Sequence, residues 1–129
     1  MNQAPLFPSP RWTVSSLTAY IRELFETDET LRDVWVHGEI SNLSRPRSGH
    51  IYFTLKDGGA SIRSVIWRSS AARLTVDLHD GMEIEAHGYL SIYDVSGQYQ
   101  LYADDIRSVG EGALYQEYLR LESLLESEG

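Results

Sequence analysis

The clearest indication of the fold is the segment IYFTLKDGGASIRSVIW at residues 51–67. Apolar and polar side chains alternate on both sides of residues 57–59, and a period of two is typical of strands with one buried face. The Asp-Gly-Gly sequence at the centre favours a tight turn, because glycine adopts positive φ angles at little cost. The stretch therefore predicts a β-hairpin whose first strand turns Ile51, Phe53 and Leu55 toward a core.

The same alternation predicts which side chains of the hairpin point away from the core. They are polar, charged or aromatic with one exception, and they comprise Tyr52, Thr54, Lys56, Arg63, Val65 and Trp67. A strand with one apolar and one mixed face is expected where a sheet has one side on the core and one side exposed.

Three more segments show a period of two. Residues 34–40 form the first, and the polar residues 41–49 are predicted to be the loop that follows it. Residues 82–93 form a long strand, in which Gly88 indicates a bend or a bulge. The last predicted strand runs from residue 98 to about residue 106.

Helical spacing flanks the strands on both sides. Thr13 is a candidate N-cap, and the apolar side chains of residues 17–25 recur with a period near 3.6. Ser16 stands where a capping box favours Glu or Gln, which weakens the predicted start. Leu114, Tyr118 and the leucines that follow predict a closing helix.

These elements predict a mainly β fold, a five-stranded Greek-key barrel of the OB type with an N-terminal helix and a C-terminal helix. An SH3-like barrel is the structural alternative, but the long interval at residues 68–81 favours the OB fold. Residues 1–12 are expected to be a flexible proline-rich tail rather than a signal peptide. We expect residues 13–110 to form the barrel with its leading helix and residues 111–129 to form a helical linker.

Composition limits the class of protein. The chain has 129 residues, of which 42% are hydrophobic, enough for one domain with its own core. Cysteine is absent, which excludes disulfides and thiolate metal sites and suits a reducing cytosol. No apolar run approaches the length of a membrane span. We therefore expect one globular domain in the cytoplasm with no membrane partner.

Charge is distributed unevenly along the chain. A net charge of −8 argues by itself against a polyanionic ligand. Residues 40–73, however, contain six basic side chains and one acidic side chain, whereas the segments before and after them are acidic. A basic middle between acidic flanks is what a localised phosphate-binding face requires, although ordinary surface arginines would give the same count.

The sequence contains no constellation typical of a catalytic site. Its four histidines are scattered without the spacing of metal ligands. Asp104 and Asp105 are neighbours on a strand and therefore point to opposite faces. Neither a phosphate-binding glycine loop nor a nucleophile elbow occurs. We predict no catalytic residue, no metal site and no cofactor in this segment.

The outward face of the barrel is better suited to binding. Flat rings stack on bases and cations meet phosphates, which is the combination that single-stranded nucleic acid requires. In OB folds this face and the loops beside it usually hold the ligand. The predicted nucleic-acid-binding residues are Trp35, His37, Arg45, Arg47, His50, Tyr52, Thr54, Lys56, Arg63 and Trp67. Lys56, the only lysine of the chain, is the first choice for a phosphate contact.

Two runs, GEISN at residues 38–42 and SGHIYFTLKD at residues 48–57, carry a family resemblance. With Trp67-Arg68 and Gly110–Gly112 following in order, they make the chain resemble the N-terminal domain of the exodeoxyribonuclease VII large subunit. The resemblance extends over nearly the whole chain.

This resemblance implies more than the residues alone indicate. Enzymes of the family degrade single-stranded DNA from both ends to oligonucleotides in the bacterial cytoplasm, with a small helical subunit as their partner. Their catalytic domain follows the OB domain, so the resemblance implies that the nuclease residues lie outside these 129 residues. The chain itself is then expected to bind single-stranded DNA without cleaving it.

A second function remains open alongside this one. The same barrel could be a protein-interaction domain that positions the catalytic domain or a partner subunit. Tyr52 and Trp67 would then pack against protein rather than against bases, since exposed aromatic surface also marks protein interfaces.

Overall fold

The structure is a computed structural model that describes residues 9–93 and 95–109. In chain order its elements are α1 (Val14–Thr27), β1 (Val34–Ser44), β2 (Ile51–Lys56), β3 (Ser61–Ile66), α2 (Arg68–Ala71), β4 (Glu83–Ile92) and β5 (Tyr99–Ser108). The helix predicted within residues 111–129 and most of the predicted tail lie outside the described residues.

The five strands close into a barrel in the order β1-β2-β3-β5-β4, with β4 returning to β1. Neighbouring strands are antiparallel except for β3 and β5, which pair in parallel. This confirms the predicted five-stranded OB barrel. Its interior is filled by large aliphatic side chains that are at most 2% exposed, namely Ile40, Leu55, Ile66, Ile84 and Leu101.

Helix α1 begins at a complete capping box, in which Ser16 takes the place of the expected Glu or Gln. The Thr13 hydroxyl accepts the Ser16 backbone N–H at 3.0 Å, and the Ser16 hydroxyl accepts the Thr13 backbone N–H at 2.9 Å. The helix packs along β4, where the Ser91 hydroxyl donates to the Glu26 carboxylate. No helix of the described residues is long and apolar enough to cross a membrane.

Strand β1 is longer than predicted, because the predicted loop at residues 41–49 begins with four strand residues. Ser41 pairs with Thr54, and Ser44 pairs with Tyr52 across an irregularity between the two pairs. Asn42 has a φ of 53°, a left-handed conformation that Asn tolerates better than most residues. The polar composition of residues 41–44 led to the prediction of a loop, whereas these residues form the irregular end of a strand.

The hairpin turn between β2 and β3 forms as predicted but for a different reason. The φ angle is not positive at Gly58 or at Gly59. Instead, one oxygen of the Asp57 carboxylate accepts the backbone N–H groups of Gly59 and Ala60, at 2.8 and 3.0 Å. These bonds, the Gly59 one foremost, lower the pKa of Asp57. An aspartate side chain therefore builds this turn.

Candidate nucleic-acid interface

Five ring side chains form a row on the outside of β2, β3, β5 and β4. We call them the aromatic row, and they are His50, Tyr52, Trp67, Tyr102 and Tyr89. Trp67 and Tyr102 stack with ring centroids 5.8 Å apart, and Tyr102 stacks on Tyr89 at 5.3 Å. His50 meets Trp67 edge-on at 5.2 Å and Tyr52 at 6.4 Å. The row is continuous across the sheet.

Strand register explains why these rings meet. Val65, at the outward centre of β3, lies directly opposite Tyr52 on β2 and Tyr102 on β5. Tyr102 in turn lies opposite Tyr89 on β4. Val65 faces outward as predicted, yet it is only 5% exposed, because the flanking rings cover it. The aromatic row thus has an apolar floor.

A groove of about 500 Å³ runs along this row. Tyr52, Trp67 and Tyr102 line it, and Arg63, Gln98 and Gln100 add hydrogen-bonding groups. Burial, more than the neighbouring Tyr89 and Tyr93, raises the pKa of Tyr102 above 10.0. The groove offers flat apolar faces beside a cation and two amides, which suits bases attached to a phosphate backbone. We call it the aromatic groove.

Five predicted site residues lie at or beside the aromatic groove. His50, Tyr52 and Trp67 belong to the aromatic row, and Arg63 lines the groove itself. Thr54 lies opposite Arg63 across the β2–β3 pair and lines an adjoining groove with Gln98. The structure therefore brings the hairpin residues of the prediction together.

Three other predicted residues contact different neighbours. The Trp35 ring carries the Arg107 guanidinium 4.4 Å above its centroid. His37 Nε2 lies 2.9 Å from the Glu83 carboxylate, and Lys56 Nζ lies 3.8 Å from the Glu39 carboxylate. None of these three side chains contributes to the lining of the aromatic groove. Their role in binding stays a prediction.

The two predicted arginines of the loop between β1 and β2 differ from each other. Arg45 donates to the Leu78 carbonyl at 2.6 Å and lies 3.7 Å from the Asp77 carboxylate, so its guanidinium ties the loop to residues 77 and 78. Arg47 is exposed near the tip of the loop. Of the two, only Arg47 is free of a carboxylate within ion-pair distance among residues 9–93 and 95–109.

Sequence reasoning missed Tyr89, Tyr102 and Gln100 as members of the site. The alternation of β4 did turn Tyr89 outward, and the same rule applied to β5 turns Tyr102 outward. The sequence pattern does not predict that β5 pairs in parallel with β3, and this pairing places Tyr102 beside Val65 and Trp67.

His87 holds three segments together away from the aromatic groove. Its Nδ1 lies 2.7 Å from the Asp104 carboxylate on β5, and its Nε2 lies 2.6 Å from Asp33, just before β1. Both nitrogens can donate at once only in the imidazolium form. The hydrogen bond to Asp104 first, and that to Asp33 second, raise the pKa of His87 above 6.5.

We expect His87 to make stability fall with rising pH. Because its pKa is higher in the folded state, its contribution is complete below about pH 6.5 and is lost as the pH rises through the folded-state value. Urea unfolding of the wild type and of His87→Gln, over about pH 6 to 9, measures this. The difference in free energy of unfolding between the wild type and His87→Gln should shrink as the pH rises. Titration of the other histidines does not affect this difference, because both proteins contain them. A difference that stays constant would show that the imidazolium contributes nothing.

Comparison with known proteins identifies relatives of the whole barrel. Residues 12–107 match the family model described as the OB-fold nucleic acid binding domain. The exodeoxyribonuclease 7 large subunits of Halothermothrix orenii, Pseudomonas savastanoi and Bacillus subtilis are 42%, 45% and 44% identical over 92%, 91% and 91% of this chain. The chain spans only 29%, 25% and 26% of those relatives.

Solved structures share the fold at much lower identity. A replication protein A heterotrimer bound to single-stranded DNA aligns with a TM-score of 0.52 over 74% of each chain, at 15% identity. The asparaginyl-tRNA synthetase of Entamoeba histolytica in complex with asparaginyl-adenylate aligns with a TM-score of 0.52 over 67% of this chain and 22% of its own, at 17% identity. These likenesses support the fold alone.

Proposed function

This chain belongs to the family of OB-fold nucleic acid binding domains and is homologous to part of the exodeoxyribonuclease VII large subunit, and we propose that it is the single-stranded-DNA-binding domain of such a subunit. In this role the domain holds the strand, and the residues that cleave it belong to the rest of the longer protein.

The aromatic row is the observation that carries this proposal. Bases of a duplex are already stacked on each other, so they meet protein rings only where the strand is single. The aromatic groove offers Tyr52, Trp67 and Tyr102 for stacking, with Arg63 within the same groove for the backbone. Stacking is tolerant of sequence because every base has a flat face, which suits a nuclease that must accept any strand.

The distribution of charge favours binding on the side of the barrel that carries the aromatic groove. Three outward residues of β1 and early β4 are acidic: Glu39 lies opposite Glu83, and Glu85 lies opposite His37. Arg63 lines the aromatic groove instead, and Arg68 begins α2 just beyond the end of β3. The acidic side repels a polyanion and the side with Arg63 and Arg68 attracts it, so local charge favours binding there although the net charge is −8.

The activity of the whole protein is part of the same proposal. We infer that the full-length subunit degrades single-stranded DNA to oligonucleotides in the cytoplasm, together with a small subunit. A single OB domain with few phosphate contacts binds weakly, and linkage to other binding sites in the longer protein raises the effective concentration of the strand.

A protein-interaction role is the second candidate, and helix α1 favours it. Its apolar stripe has no buried residue, and Leu17, Tyr20 and Leu24 are between 41% and 50% exposed. Trp12 extends this patch by packing on Tyr20, with ring centroids 5.2 Å apart. An exposed apolar patch of this kind is typical of a surface that contacts protein.

Replacement of Tyr52 tests the binding role directly. Tyr52→Ala should weaken binding of a labelled oligothymidylate by about 1–3 kcal/mol, the loss expected for one stacked base. It should change the melting temperature little, because the side chain points away from the core. Fluorescence anisotropy titrations beside thermal melts provide both measurements.

Tyr20→Ala is the matched control, since it removes a tyrosine side chain, 46% exposed, from α1 on another part of the surface. The affinity for the labelled oligothymidylate should stay unchanged in this variant. If Tyr20→Ala and Tyr52→Ala leave affinity equally unaffected, the aromatic row does not bind the strand and the protein-interaction role is the better one.

A further inference from the structure

A second, basic groove adjoins the aromatic row where the loop at residues 45–50 meets α2. It measures about 350 Å³, and we call it the loop–helix groove. Gly49, His50 and Arg68 line it together with Arg45. His50 also contacts Trp67 edge-on, so the loop–helix groove adjoins the aromatic row at this residue.

Gly49 sets the position of Arg68. Its φ is 92°, and a Cβ atom built on it would lie 2.9 Å from Cγ of Arg68. The aliphatic part of the arginine thus packs on the bare glycine backbone. Among the residues that the structure describes, no carboxylate lies within ion-pair distance of the Arg68 guanidinium. This cation is exposed and available to an anion.

His50 presents a hydrogen-bond donor at the same place. Its Nδ1 accepts the backbone N–H of Arg68 at 2.9 Å. The neutral ring must then carry its proton on Nε2, which leaves that nitrogen as a donor. The guanidinium of Arg45, by contrast, is bound to the Leu78 carbonyl, so Arg68 is the principal free cation of the groove.

We infer that the loop–helix groove binds a backbone phosphodiester of single-stranded nucleic acid, the one next to the nucleotide whose base stacks on Trp67. This inference rests on the proposed function. Trp67 and Arg68 are consecutive, with Cα atoms ~3.8 Å apart, and their side chains line the aromatic groove and the loop–helix groove respectively. One dinucleotide step can therefore reach a ring and a cation together.

The groove also sets the path of the strand. Bases cross the aromatic row from β4 toward β2, and the backbone leaves over the loop at residues 45–50 and α2. An exit over β1 would instead bring phosphates to Glu39 and Glu83, which like-charge repulsion disfavours. Arg68 is thus a strand-positioning residue that sequence reasoning did not select.

The test measures oligothymidylate binding to Arg68→Gln at several salt concentrations. Loss of one phosphate contact should lower affinity roughly tenfold at low salt. It should also make the slope of log K against log salt shallower by about 0.7. Arg68→Lys keeps the charge and should keep the slope. Arg32→Gln removes the same charge from the α1–β1 connection and should change neither quantity.

A second ligand isolates the phosphate itself. On an oligonucleotide with neutral methylphosphonate linkages, Arg68→Gln and the wild type should bind with equal affinity. Thermal melts check that each variant folds, and the backbone N–H that His50 accepts is retained in all of them.

The outcomes separate this inference from the proposed function. If Tyr52→Ala weakens binding while Arg68→Gln leaves affinity and salt slope unchanged, the loop–helix groove is not a phosphate site and the aromatic row still binds the strand. An Arg68→Gln effect that persists on neutral linkages overturns the inference as well. A wild type that binds no oligonucleotide overturns both.

Discussion

Phe53→Ala is expected to lower the free energy of unfolding by about 3–5 kcal/mol, the cost typical of removing a large ring from a closed core. Phe53 is 3% exposed at the centre of β2 and packs in the main apolar cluster. The barrel closes through hydrogen bonds on both sides of every strand, so its walls cannot collapse freely into the cavity. The residual void is what makes the cost large.

Denaturant unfolding of the purified variant measures this loss, and Ser64→Ala is its matched control. Ser64 lies directly opposite Phe53 on β3 and is 1% exposed. Its hydroxyl has no hydrogen-bond partner among the described residues, so its removal should cost little. If Phe53→Ala were tolerated while Tyr52→Ala unfolded the domain, the inward and outward faces of β2 would be reversed.

The hairpin of residues 51–66 illustrates what local sequence can predict. A period of two separates inward from outward side chains without any knowledge of the partner strands. Ile51, Phe53 and Leu55 were therefore assigned correctly to the core, and Tyr52 and Arg63 were placed together on the outer face. The element order then sufficed to predict an OB barrel, because few folds join five short strands in this way.

Cross-strand neighbours are what local sequence cannot predict. The parallel pairing of β3 with β5 joins residues 63–66 to residues 100–103, and no nearby pattern encodes it. Tyr102 was missed for this reason. Lys56 was chosen for its outward position, but its neighbour across the β1–β2 pair is Glu39, whose charge opposes a phosphate contact.

Short-range hydrogen bonding limited the prediction of loops in a similar way. Polar residues form turns, caps and bulged strand ends with almost the same composition, because their side chains can bond the backbone in each case. Residues 41–44 were predicted as loop but pair with β2. The turn after β2 was predicted from glycines with positive φ, but it is formed by hydrogen bonds to the Asp57 carboxylate. The neighbouring strand decides the first structure and the hydrogen bonds of the Asp57 carboxylate decide the second, and polarity alone indicates neither.

Gly88→Ala is expected to destabilise the protein by about 3 kcal/mol or more, at or beyond the upper end for overpacked sites. A Cβ atom at this position would lie 2.0 Å from the Tyr102 carbonyl oxygen and 2.8 Å from Cα of Ala103. Both contacts are backbone, so no side-chain rotation relieves them. The register shifts here, with His87 opposite Asp105 and Gly88 opposite Ala103, and the two backbones lie so close that only a bare Cα fits.

Gly58→Ala is the matched control for this change. Gly58 lies in the β2–β3 turn, where a built Cβ has no atom within 4 Å beyond its own residue and chain neighbours, and its φ is not positive. The extra methyl should be neutral there, or should stabilise by about 0.4–1 kcal/mol by restricting the unfolded chain. Equal melting temperatures for the two variants would show that β4 and β5 do not approach as closely as described.

The Gly88 bulge should matter for binding as well as for stability. Tyr89 follows Gly88 directly and stacks on Tyr102, so we expect a backbone shift that relieves the Gly88 contact to displace these two rings. Affinity for oligothymidylate, corrected for the folded fraction, should fall in Gly88→Ala and stay unchanged in Gly58→Ala. Unchanged affinity per folded Gly88→Ala molecule would mean that Tyr89 lies outside the binding surface, and the aromatic row would then end at Tyr102.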